Sequence, residues 1–305
     1  MTGIVKNIFE HNIELLGDMD KAVYYFRKQQ YDKALSLLAH SIDGIKLVIE
    51  TLISNREYFN RVEIESMLEM LKGILAAKQN GDFILLADLL ELQLMNLLIQ
   101  IQELIMSKED NLFNDNIFEE NIQLLLERQR GFVDELKVPI DPNELLAKGY
   151  RVEFTSCGLM TLAAKNDNKE FYFHTNNRIK SEAFLLARNW YQEGKKRYIL
   201  YGFGMGYHIY ELMLLAKDAE IEVYEGDRNV IMLACAFSDL KQLLVNKGVN
   251  IIYDPELESL SRRITKIKQE ESLIIHYPSY MNIRNRKGKE ILRRKLTWLE
   301  AIESC

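Results

Sequence analysis

The spacing of apolar residues changes once along this chain, near residue 140, and that change constrains the fold more than any other feature. Before it, apolar side chains recur every three or four positions; after it they tend to alternate. The first pattern lines one face of an α-helix, the second one face of a strand. Tyr31, Leu35, Leu38, Ile42, Ile45, Ile49 and Leu52 draw a single stripe along a long helix. Ile64, Leu68, Leu71 and Leu75 draw a second. Leu86, Leu90, Leu94, Leu97, Ile101 and Leu104 draw a third, widened by further leucines, so this helix is expected to be central. Helices are also expected from about Val5 to Gln29 and from about Ile117 to Phe132. Breaks fall at Gln29-Gln30, Asn55 to Asn60, Asn80-Gly81-Asp82 and Lys108 to Asn116. The pattern predicts an antiparallel bundle of about five helices over residues 1–137.

Two prolines in Val138-Pro-Ile-Asp-Pro142 stop a helix and stiffen the chain, so residues 138–149 are expected to be a linker. Tyr150–Thr155, Met160–Ala164 and Glu170–His174 then read as three short strands of a small β cap, with turns at Ser156-Cys-Gly158 and Asn166-Asp-Asn168. Strands and helices alternate from there: a helix Ile179–Tyr191, a strand ending at Tyr201, a helix after it, and a strand to Glu225. They continue with a helix from Arg228, a strand Val249–Tyr253, a helix Glu256–Lys268, a strand Ser272–His276 and a last helix from about Asn285. Such alternation predicts a Rossmann-like parallel sheet over residues 150–305, behind the cap.

Composition narrows the class. A chain of 305 residues, 48% hydrophobic and 28% charged with only 4 prolines, is expected to hold two globular domains. The most apolar window, Phe83 to Ile105, is interrupted by Asp88, Glu91 and Glu103 and reads as a buried bundle helix, not a membrane span. No secretory pattern is present. The three cysteines, Cys157, Cys235 and Cys305, are scattered, so neither a disulfide framework nor a metal site is expected, and the cytoplasm is the expected compartment. Acidic side chains outnumber basic ones 25 to 15 over residues 1–150, while basic ones lead 24 to 20 afterwards. That balance argues against nucleic-acid binding by the first half. Residues 284–295 hold seven basic side chains against Glu290 alone. A solvated helix face and a contact with an acidic surface, including a second copy of the chain, both remain open for that segment.

The chemistry concentrates in Tyr198-Ile-Leu-Tyr-Gly202-Phe-Gly204-Met-Gly206-Tyr207-His208, followed by Ile221-Glu-Val-Tyr-Glu225-Gly-Asp227. A strand, a glycine turn, a helix and an acid at the end of the next strand present backbone N–H groups to an anion and a carboxylate to ribose hydroxyls. A nucleotide, a nucleotide sugar or S-adenosylmethionine would each suit it. The spacing is G-x-G-x-G, so a dinucleotide oxidoreductase fits less well, and glycines also serve merely to let a strand turn sharply. Gly202, Gly204, Gly206, Tyr207, His208, Glu225 and Asp227 are the expected cofactor-binding set, although Asp227 is better suited to cap the helix from Arg228. His174, Glu182 and His276 are placed near the same carboxyl edge of the sheet, as pocket candidates. No nucleophile–base arrangement is evident, and no catalytic residue is assigned.

Gly202-Phe-Gly-Met-Gly-Tyr-His208, the acidic Tyr224-Glu-Gly-Asp227, and Phe173-His-Thr-Asn-Asn-Arg-Ile-Lys-Ser-Glu182-Ala183 carry a resemblance. Over roughly residues 150–280 the chain resembles the N-terminal module of the motility accessory factor (Maf) flagellin glycosyltransferases, relatives of the 6-hydroxymethylpterin pyrophosphokinase-like family. In that family a Rossmann-like catalytic domain follows the module and binds an activated nonulosonic sugar; this chain ends at Cys305, near where it would begin. The resemblance therefore implies a cytoplasmic accessory protein of flagellin glycosylation, with flagellin or a glycosylation-machinery protein as partner and no membrane or nucleic-acid role. A small S-adenosylmethionine-dependent methyltransferase is the alternative.

Overall fold

The computed structural model describes residues 2–109, 112, 116–128, 142–166, 169–283 and 293. These divide into two compact units: residues 1–112 with 154–159, and residues 113–153 with 160–305.

The first unit is helical: α1 (Thr2–Arg27), α2 (Tyr31–His40), α3 (Ile42–Ser54), α4 (Ile64–Gln79), α5 (Phe83–Leu89) and α6 (Met95–Met106). The single long helix expected across Tyr31 to Leu52 is two helices. They part at Ser41, whose hydroxyl donates to the Leu37 carbonyl at 3.0 Å and competes with the helical ladder. In α4 the expected stripe is out of phase: Leu68 and Leu75 are exposed, and Ile64, Met67, Met70, Ile74 and Ala77 face the core. The flexible methionines fill the packed side, a role that leucine counting overlooks. Between α5 and α6 the chain forms a π turn, Leu90–Leu94. Successive steps of four, Leu86, Leu90, Leu94 and Leu98, outrun an α-helical turn, and the wider π turn keeps all four on one buried face. Phe83–Met106 is long and apolar enough to cross a membrane, yet this stripe lies in the core of the helical unit. Asp88 and Glu91, which interrupt its apolar run, pair with Arg27 of α1.

One polar network runs through the helical core. The buried Asn12 amide donates to the Leu98 carbonyl at 2.7 Å and to Gln102 Oε1 at 3.1 Å. Gln102 Nε2 in turn donates to the carbonyls of Phe9 at 3.1 Å and Cys157 at 3.3 Å. The short segment 154–159 thus belongs with the helices, although its neighbours in sequence are strands.

The second unit holds α7 (Ile117–Arg128), α8 (Pro142–Ala147) and a three-stranded sheet ordered β1 (Tyr150–Phe154), β2 (Met160–Asn166), β3 (Lys169–Tyr172), with β2 and β3 antiparallel. After it come α9 (Ile179–Trp190), β4 (Arg197–Tyr201), α10 (Tyr207–Leu215), β5 (Glu220–Glu225), α11 (Arg228–Phe237), α12 (Lys241–Val245), β6 (Val249–Tyr253), α13 (Glu258–Ile264), β7 (Glu271–Ile275) and α14 (Tyr277–Ile283). The larger sheet is parallel and ordered β6-β5-β4-β7. It is the expected Rossmann-like sheet, and alternate strand residues enter two buried apolar clusters, Tyr198, Leu200, Val223 and Ile251 in one and Ile199, Tyr201 and Tyr224 in the other. The order reverses beside β4, so the β4–β7 carboxyl ends form the switch point of the sheet. The sequence reading put α7 in the bundle. Here it packs on α11 and α12, with the buried Asn121 amide donating to the carbonyls of Cys235 and Ser238, both at 2.9 Å. Within the expected linker 138–149, residues 142–147 form α8; residues 138–141, the end of the helix expected to Phe132, and the basic segment 284–295 apart from residue 293 lie outside the described residues.

Candidate functional site

The glycine turn between β4 and α10 is where the sequence placed it. Gly202, Gly204 and Gly206 all have positive φ, at 110°, 51° and 85°, a region other residues enter at a cost. The space a side chain would occupy at each is taken by the protein itself. A Cβ on Gly202 would lie 2.4 Å from the Cβ of Ser279, one on Gly204 2.8 Å from His174 Nε2, and one on Gly206 2.7 Å from Leu240.

The amides of the turn are likewise engaged from within. Glu225 accepts from the Phe203 N–H at 2.9 Å through one oxygen, and from the Gly226 and Asp227 N–H groups at 2.9 and 3.0 Å through the other. His174 Nε2 accepts from the Met205 N–H at 3.0 Å. Glu225 thus sits where an anionic ligand would, and it is 1% exposed. Burial pushes its carboxyl up to about 8, against the opposing pull of the Phe203 N–H. Asp227 caps α11, accepting from the Asn229 N–H at 3.0 Å. Its other oxygen accepts from Tyr150 and, at 2.8 Å, from the Asn282 amide. Tyr207 donates its hydroxyl to the Met160 carbonyl at 2.9 Å and ties α10 to β2. Glu182 accepts from the Thr175 N–H at 2.6 Å, fixing the segment after β3.

The structure brings His174, His208 and His276 together beneath the turn. The rings of His208 and His276 stack with centroids 4.1 Å apart, and His174 lies 5.4 Å from each. All three are buried, and Trp190 closes one side edge-on. A carbonyl can only accept, so the 3.0 Å contact between His208 Nε2 and the Gly202 oxygen puts the His208 proton on Nε2. His276 Nδ1 lies 2.8 Å from the Ser279 hydroxyl. Burial, joined for His174 and His276 by mutual repulsion, lowers the proton affinity of every ring; for His208 it falls to about 4. The trio is therefore neutral near pH 7. Sequence reading flagged each histidine singly and missed the trio, because residues on three separate elements leave no local spacing. It also missed Ser279, for which the run His276-Tyr-Pro-Ser279 at the start of α14 was the available signal.

The ligand pocket expected at this edge, walled by residues 202–208 and Glu225, is packed by protein: Gly202–Gly206, His208 and Glu225 are all buried and only Tyr207 is partly exposed. A described cavity of about 880 Å³ opens instead near the amino ends of β4, β5 and β7, beside Lys196, Arg197, Lys217, Glu220 and Glu271. The Cys235 thiol is buried and pushed well above its ordinary value.

Residues 4–104 match a family described as a domain of unknown function (DUF8042). No curated protein matches the chain. Among solved structures, the crystal structure of MNMC2 from Aquifex aeolicus is similar at 11% identity and a TM-score of 0.24, over 49% of this chain and 60% of that one. So slight a likeness bears on neither fold nor function.

Proposed function

We propose that this is a cytoplasmic, Maf-like accessory protein of flagellin glycosylation, whose Rossmann-like unit engages a protein partner and transfers no sugar itself. The observation that carries this reading is the filled turn. Glu225 and His174 hold the Phe203, Met205, Gly226 and Asp227 amides, the groups an anionic cofactor would otherwise use. The likeness of Gly202–His208 and Tyr224–Asp227 to the Maf module supplies the pathway, and flagellin or a glycosylation-machinery protein the partner. The methyltransferase alternative requires S-adenosylmethionine to reach a carboxylate that is 1% exposed and already bonded to three amides.

The test is to incubate purified protein with flagellin and a cytidine-activated nonulosonic acid, weigh the flagellin by intact mass spectrometry, and measure flagellin binding in parallel. Binding without added mass is the expected result. Flagellin that gains one sugar makes the chain a transferase. Saturable stabilisation by S-adenosylmethionine favours the methyltransferase.

A further inference from the structure

We propose that His174, His208 and His276 form a site for one divalent first-row transition-metal ion of the zinc class. Three of the chain's five histidines converge here, from the segment after β3, the first turn of α10 and the end of β7. Each offers one ligand atom, and the three atoms lie within 4.8 Å of one another. The rings are 0–1% exposed. One nitrogen on each ring has no hydrogen-bond partner: Nδ1 of His174, Nδ1 of His208 and Nε2 of His276. Buried polar atoms left unmade are costly, and three side by side call for a common occupant.

The chemistry of the donors selects a metal. Neutral imidazole is the nitrogen ligand that zinc, cobalt and nickel share. Ligating histidines commonly anchor their second nitrogen on a neighbouring oxygen. His208 does so on the Gly202 carbonyl, leaving a lone pair on Nδ1, and His276 does so on the Ser279 hydroxyl. His174 is the ring that must rearrange, because its Nε2 already accepts the Met205 N–H. The stacked His208 and His276 rings must also rotate about their side-chain bonds to aim both lone pairs at one ion. Metal–nitrogen bonds of about 2.0–2.1 Å then draw the three rings closer. A buried water is the competing occupant, since His174 Nδ1–H could donate to it while the other two rings accept. Water needs only polar atoms, however, whereas three imidazoles are a transition-metal donor set. With the rings sealed from solvent, the ion's role is to fasten the segment after β3, the glycine turn and the start of α14 together. The site stands apart from the accessory function and would hold under either reading.

The experiment uses the full chain, stripped with a chelator and titrated with cobalt(II), followed by zinc competition. One equivalent of cobalt giving the visible bands of a tetrahedral nitrogen-rich site, displaced by zinc, is expected. His276→Gln should abolish the bands while its far-ultraviolet circular dichroism stays native. Nitrogen NMR of the histidine side chains in the unmutated protein covers the case in which that variant misfolds. Zinc should move the His174, His208 and His276 signals and leave those of His11 and His40 in place. Absence of stoichiometric binding at micromolar free ion, shifts at His11 or His40 alone, or undiminished binding by a folded His276→Gln protein would each overturn the site and leave a buried water as the occupant.

Discussion

At the scale of single residues, the buried ionisable groups of the turn and the trio set opposing pH dependences. Glu225 has its carboxyl raised from 4.5 to about 8, so the folded chain holds a proton there that the unfolded chain releases. Its contribution to stability is fully present below pH 4.5 and is lost as pH rises through 8. The histidines run the other way. His208 falls from 6.5 to about 4, and His174 and His276 are lowered too, so their contribution is present above pH 6.5 and is lost as pH falls toward 4. Three rings outweigh one carboxyl on the acid side, and Glu225 acts alone above pH 6.5. Stability is therefore expected to peak near neutrality and to fall by about 2 kcal/mol between the upper end of the histidine range and pH 8. Urea unfolding across that interval checks this, with Glu225→Gln expected to flatten the alkaline fall. A variant that keeps the full slope assigns it to another group. The sequence marked Glu225 by its place at a strand end. Its inward turn was not legible, because its donors include Phe203, which only the parallel pairing of β4 and β5 brings near.

Among the elements, what could be read and what could not separate by the range of the interactions involved. The β4–α10–β5 unit was legible because its glycines act locally, through φ. The break before α5 was legible for the same reason: Gly81 has φ 68°, and Asp82 caps the next helix by accepting the Leu85 N–H at 3.0 Å. Phase was harder to read. In α4 leucine and methionine are equally apolar, and only the packing chosen by neighbouring helices decides which face is buried. The division of α2 from α3 at Ser41 was hidden by a stripe that continues unbroken across it. The Asp82 cap is testable by itself. Asp82→Ala should cost about 1 kcal/mol of stability, and Asp82→Asn should recover most of it, because either side chain can accept at that position. Equal midpoints for the two variants in urea would show that the cap contributes nothing.

On the scale of the whole molecule, the boundary between the two units is not one point in the chain. Residues 154–159 run from the last residue of β1 to the start of β2, yet they belong to the helical unit. Ser156-Cys-Gly158 is the turn between β1 and β2 that the periodicity predicts, with the Gly158 N–H donating to the Thr155 carbonyl at 2.9 Å, but periodicity reports neighbours along the chain and not the partners across it. Gly158 marks the difference. Its φ is 86°, and a Cβ there would lie 2.4 Å from Gln102 Nε2 and 2.9 Å from Cζ of Phe9. Both belong to the helical core, where Gln102 holds the Phe9 and Cys157 carbonyls together. Gly158→Ala must therefore displace the Gln102 amide, leave buried carbonyls short of a donor, and force a side chain into a left-handed conformation. Together these cost about 2–4 kcal/mol. Because the atoms displaced lie in α1 and α6, the loss should appear there. Hydrogen exchange read by mass spectrometry is expected to show faster exchange in peptides around Phe9 and Gln102, with β4 and β5 unchanged. If exchange rises first in β2 and β4 while α1 and α6 stay protected, the turn is held by the α/β unit and not by the helical one.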